Sequence, residues 1–166
     1  MTYAEVEFIK AEAVERALAT VSGTAASHYQ AGIRASMEQW GVPDGDISAY
    51  LAQPSVAYKG GTEGLRQIAA QKWIALFSDG GTAWSEWRRT CVPGTVQPGR
   101  DASQSNVPRR FQYSITEKSV NGDNVAAAIA AQGADAFATR MYWDKSPTAA
   151  PTYFTGCGVR GQAPPP

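Results

Sequence analysis

Apolar side chains recur along this chain at helical spacing. From Tyr3 to about Leu18, Tyr3, Val6, Phe8, Ile9, Ala13 and Val14 form a broad apolar side, while Glu5, Glu7, Glu12 and Arg16 form the wet one. This predicts a first helix, and Thr2-x-x-Glu5 ahead of it reads as a capping box. After the break at Ser22-Gly23-Thr24, Tyr29, Ile33, Met37 and Trp40 fall at i, i+4, i+8 and i+11, and Gly41 closes a second helix. Gly32 lies inside that helix, where glycine is about 1 kcal/mol worse than alanine, so close approach of a neighbouring helix is its expected reason.

Pro43-Asp44-Gly45-Asp46 reads as a turn, Ile47 to Ala52 as a short helix ended near Pro54, and Lys59-Gly60-Gly61-Thr62 as a loop that caps the next helix. That helix is predicted over Glu63 to Phe77, with Trp73, Leu76 and Phe77 on one side. Ser78-Asp79-Gly80-Gly81 then stops it, and Thr82 is the expected cap of a further helix carrying Trp84, Trp87 and the pair Arg88-Arg89. The two form a tight helical hairpin. Cys91 to Pro108 reads as a long surface loop, Pro108 to Tyr113 as extended chain, and Asp123 or Asn124 as the start of an alanine-rich helix that stops near Gly133. Met141 to Asp144 makes a short apolar close, and residues 146–166 form a Pro/Gly/Thr-rich irregular tail. No period-two pattern occurs, so the expected architecture is all-α with long irregular loops.

The 166 residues suit one domain able to bury a core without disulfides or metal, and a hydrophobic fraction of 43% with five tryptophans supports packing over disorder. Fifteen basic and fifteen acidic side chains cancel, which removes any global field for nucleic acid or anionic membrane. The first residues have neither the basic start nor the apolar run of a signal peptide, and nothing approaches the ~20 apolar residues of a span. Helix begins so early that the chain reads as a portion of a larger protein. Cys91 and Cys157 lack metal-ligand spacing; a bridge between them and two separate thiols both stay open.

His28 is the only histidine, and no partners at recognisable spacing make it a catalytic or metal centre. Acidic pairs such as Asp44/Asp46 carry no information, since any helical protein offers them. No cofactor or metal is expected. Trp73, Trp84 and Trp87 sit on helical faces among apolar residues, which favours the core over a ligand platform. The loop aromatics Tyr58, Tyr153 and Phe154 pack less and are the better ligand-binding candidates. Arg88-Arg89 and Arg109-Arg110 have the forks for an anion site. With zero net charge, a structural role is favoured, one arginine stacking on a tryptophan and bonding the carbonyls at its helix end while the second pair anchors the loop.

Six blocks in order then resemble the C-terminal part of SusD/RagB-like outer-membrane lipoproteins. They begin at Tyr3, Tyr29 and Gln67, continue with Trp84-Ser85-Glu86-Trp87-Arg88-Arg89-Thr90 and Pro108-Arg109-Arg110, and end with Tyr142-Trp143-Asp144-Lys145. The resemblance spans residues 1–145, as a helical domain, and leaves the tail outside. It implies a tetratricopeptide-like scaffold and a non-catalytic binder of nutrient glycans at the extracellular face of the outer membrane, partnered by a TonB-dependent SusC-like transporter. A peptide-binding RagB-type protein, or a scaffold fragment that mainly contacts the transporter, is the alternative. The lipid anchor that such proteins use is absent from this sequence, and Cys91 stands where the family usually has glycine. The family's ligand-contacting aromatics follow no motif that carries over, whereas the matched Trp73, Trp84, Trp87, Arg88, Arg89, Arg109, Arg110 and Trp143 fall in scaffold blocks.

Overall fold

A computed structural model describes residues 1–102 and 107–142. Tyr153, Phe154, Trp143, Cys157 and the tail lie outside the described residues. The chain divides into two units, one of residues 1–93 and one beginning at Gly94. Helices are the only regular elements among the described residues, as the tetratricopeptide-like expectation requires.

The first unit holds α1 (Tyr3–Glu15), α2 (Ala25–Gln39), α3 (Asp44–Leu51), α4 (Gly61–Ala75) and α5 (Gly80–Thr90). α1 packs along α2 and also against α4, so it is the central helix of the unit. Thr2 caps it by accepting from Glu5 N at 3.2 Å, and the expected return bond from the Glu5 side chain is not formed. A complete capping box occurs instead at α2, where Thr24 and Ser27 exchange bonds. α1 ends three residues earlier than its pattern suggests. Leu18 N reaches Ala13 O and Ala17 N reaches Val14 O, the paired bonds of a Schellman turn, with Ala17 at φ 52°.

The core joins Ala4, Phe8 and Ala11 of α1, Tyr29 and Ile33 of α2, Ile68 and Ala75 of α4, and Val56 from the segment after α3. Phe8 meets Tyr29 edge-on with ring centroids 6.4 Å apart, and Tyr29 lies 5.2 Å from Tyr58. The Tyr29 hydroxyl donates to Val56 O at 3.0 Å, which satisfies its polar end inside the core. Gly32 explains itself here, because a Cβ at that position would stand 2.8 Å from Cε1 of Phe8. The absent side chain lets the two helices close on the ring.

Boundaries shift wherever a neighbour or a cap decides them. α3 begins at Asp44, not Ile47, because Pro43 O accepts from Asp46 N and Ile47 N and two carboxylates favour the first turn. α5 is capped by Asp79, which accepts from both Thr82 N and the Thr82 hydroxyl, so the expected roles of those two residues are reversed. α4 stops at Ala75 with Leu76 as its C-cap. Phe77 therefore leaves the apolar side predicted for it and stands 84% exposed.

The second unit contains α6 (Ile115–Val120) and α7 (Gly122–Gln132). α7 ends at Gly133, with φ 102°, where the sequence places the stop. α6 was not expected, although Ser114 caps it by accepting from Glu117 N and Ser114-x-x-Glu117 spells a helix start. Asp135 ties this unit together, accepting from Tyr113 N at 3.1 Å and pairing with Lys118 at 2.7 Å and Arg110 at 3.5 Å.

Candidate functional site

The charged residues of the first unit form a connected chain of partners. Lys72 of α4 and Glu86 of α5, both buried, pair at 3.1 Å. Arg89, one turn on from Glu86, bonds it and then grips Glu12 of α1 with two parallel bonds of 2.7 Å. Arg16 completes the run by pairing with Glu12 at 2.9 Å. Burial alone would raise the Glu12 carboxyl, but the bonds from Arg89 and Arg16 outweigh it and hold the group below the ordinary glutamate range. Burial disfavours charge on Arg89 as well, and its two carboxylate partners reverse that, so the guanidinium stays ionised. Both forks of Arg89 are thus occupied by protein carboxylates, which makes it a rivet between α5 and α1.

Arg88 points elsewhere. Its guanidinium carbon stacks 3.7 Å from the centre of the Trp84 ring, and Nη2 bonds Ser85 Oγ at 3.4 Å. Trp84 is half-buried beneath it, as is Trp73 on α4. Trp87 is 1% exposed and donates from Nε1 to Pro93 O at 3.2 Å. In the second unit Arg109 and Arg110 are both buried. Arg109 N donates to Phe137 O at 2.7 Å, while the Arg110 guanidinium faces Asp135 and lies 5.1 Å from the Tyr113 ring.

Tyr58 packs its ring on the core beside Tyr29. Its hydroxyl donates to Glu15 Oε2 at 2.6 Å, and burial, reinforced by that carboxylate, pushes its ionisation well up. Glu15 uses its other oxygen to accept from Gly61 N, at the start of α4, which has no side-chain cap of its own. His28 Nδ1 faces Glu7 Oε2 at 2.6 Å and Nε2 faces Ser22 O at 2.9 Å. Two acceptors against two ring nitrogens place His28 as a clasp between α1 and the turn ahead of α2. Glu7 also takes a bond from Lys10. Burial opposes its charge, and the bonds from Lys10 and His28 outweigh burial and hold it ionised. Among the described residues no group of three or more His, Cys, Asp or Glu is placed to hold a metal ion.

Sequence reasoning missed one pair of side chains altogether. Trp40, expected on the inner face of α2, caps that helix and is 56% exposed. Its ring meets Phe77 edge-to-face, with centroids 6.2 Å apart and planes at 77°. Gly41, directly after Trp40, was the signal at α2, since it ends the helix at that aromatic; at α4 the helix stops at Ala75, before Phe77 can turn inward.

The comparisons with known proteins agree with this architecture. The SusD-like family model described as "Starch-binding associating with outer membrane" matches residues 1–114. A chitin-binding SusD homologue from Flavobacterium johnsoniae is 29% identical with a TM-score of 0.69, covering 87% of this chain and 36% of its own. SusD homologues from Bacteroides uniformis (29% identical, TM-score 0.75, 88% and 37% covered) and Bacteroides fragilis (31% identical, TM-score 0.73, 89% and 35% covered) are similar in the same way. This chain thus spans little more than a third of the length of those relatives. No curated protein matches it. The family model covers most of the chain and the helical relatives superpose on nearly all of it, and the chain belongs to the SusD-like family.

Proposed function

We propose that this chain is part of a non-catalytic glycan-binding protein that works at the outer face of an outer membrane. The observation that carries this is the family match over residues 1–114, whose description couples starch binding to outer-membrane association. A chitin-binding relative of the same fold supports glycans as the ligand class. Within this reading the protein holds a nutrient glycan and passes it to a TonB-dependent SusC-like transporter, without chemistry of its own. Affinity electrophoresis of the purified chain through gels containing soluble starch or glycol chitin tests it. Retarded migration in either gel is expected, and unchanged mobility in both would overturn the assignment.

A scaffold role is favoured by a separate observation. The block Trp84–Thr90 is taken up by packing and ion pairing, with Trp87 in the core and Arg89 joined to α1. On that reading the chain chiefly supports contacts with the transporter. Co-purification of the transporter with a full-length SusD-like protein, with and without the region corresponding to this chain, separates the two roles.

A further inference from the structure

Trp40 and Phe77 are large aromatic residues that the first unit leaves in solvent, at 56% and 84% exposed, and yet holds in contact. Ile74, one turn before Phe77, is 54% exposed. Planes at 77° turn the two rings into a step, in which one ring offers a face and the other an edge. The Trp40 indole N–H makes no hydrogen bond to a described residue, which leaves a donor beside the apolar face.

The chemistry around the step selects its ligand. Gln39, Gly41 and Ser78, the residues next to the two rings in sequence, carry no charge. The carboxylate of Asp79 is taken up by Thr82, and Arg34 on α2 is paired with Asp44. An ionic ligand would find no free counter-charge on these groups. Three side chains also make a patch far smaller than the roughly 800 Å² per partner of a stable protein interface. A flat apolar ring with hydroxyl groups at its rim fits instead: its C–H face lies on an aromatic surface, and a rim oxygen accepts from the indole N–H.

We propose that Trp40 and Phe77 form a stacking subsite for a neutral sugar ring of a glycan chain. This rests on the glycan-binding reading above and adds the place of contact. The two rings come from the ends of α2 and α4, so packing of those helices sets the step before any ligand arrives. Preorganisation of this kind limits the entropy lost on binding.

The test measures tryptophan fluorescence and calorimetric titration with maltoheptaose and with chitohexaose, on the wild-type chain and on Trp40→Ala, Phe77→Ala and Trp40→Tyr. Both alanine variants alter exposed side chains, and circular dichroism with a melting curve checks that they fold. The expected result is binding of at least one oligosaccharide, weakened about tenfold or more by Trp40→Ala and by Phe77→Ala and largely kept by Trp40→Tyr. Equal binding by wild type and alanine variants would overturn the subsite and leave the glycan reading standing. Binding of neither oligosaccharide by a folded wild type would overturn both. Unchanged glycan binding with reduced self-association in sedimentation would reassign the step to contact between copies.

Discussion

Arg89 and Glu12, 77 residues apart in sequence, meet through two parallel hydrogen bonds of 2.7 Å. That pair fixes the last turn of α5 to the side of α1, and Glu86 holds the arginine from its own helix. The arginine is partly exposed, so water screens the pair, and its worth is about 1 kcal/mol. Glu12→Gln is expected to lower stability by about that amount at neutral pH. Because folding holds the Glu12 carboxyl below its ordinary value, the pair contributes fully above about pH 4.3 and is lost as pH falls through the lower folded-state value. Urea unfolding of wild type and variant from about pH 7 to about pH 3 should show their difference shrinking with acid. A difference that grew with acid would contradict the pairing.

Ala17 occupies a left-handed conformation at φ 52°, is exposed, and ends α1 in a turn suited to glycine. Ala17→Gly is expected to raise stability by about 0.5–1 kcal/mol through relief of Cβ strain. Ala17→Val is expected to lower it, since branching at Cβ adds to the strain. Thermal melts of the pair check the opposite signs.

Gly32→Ala is expected to be destabilising by about 1–3 kcal/mol, because its Cβ would press into the Phe8 ring. Phe8→Leu in the same chain removes the obstructing edge. A double-mutant cycle should return a coupling energy that makes the pair less damaging than the sum of its parts.

Trp87 and Trp84 should behave differently although both lie on α5. Trp87→Ala removes a fully buried indole and its bond to Pro93 O, and is expected to lower stability by about 3–5 kcal/mol. Trp84→Ala mainly removes the surface on which Arg88 stacks, an expected loss of about 1–2 kcal/mol. Chemical denaturation with matched slopes measures the difference. Equal losses would mean that Trp84 is more deeply built in than its partial exposure indicates.

How much of this was legible in the sequence depended on distance along the chain. Phe8, Tyr29 and Ile33 were legible as core residues, but the sides read for α1 do not hold: Tyr3 and Ile9 are exposed, whereas Glu5 and Glu7, placed on the wet side, are buried. Gly32 even signalled the close contact, though not the ring that makes it. Trp40 and Phe77 were misplaced because a periodic pattern assumes that the helix continues, while caps and turns end both helices first. α6 is too short for a period to show, and only Ser114-x-x-Glu117 could have revealed it. The charged run was hidden for a different reason. Of its pairs, Glu86–Arg89 and Glu12–Arg16 follow helix spacing, while Lys72–Glu86 and Arg89–Glu12 exist only once three helices have met.

Glu15 sits at the end of α1 yet supplies the acceptor for Gly61 N, 46 residues later, while holding the Tyr58 hydroxyl. Gly64 keeps the space for that hydroxyl, since a Cβ there would lie 2.7 Å from it. α4 therefore borrows its opening turn from another helix. A peptide of residues 60–75 alone would have to nucleate without that acceptor, at the end where helix formation is least favourable. The last turn of α1 and the first turn of α4 are therefore coupled, and a change that frees Glu15 loosens both.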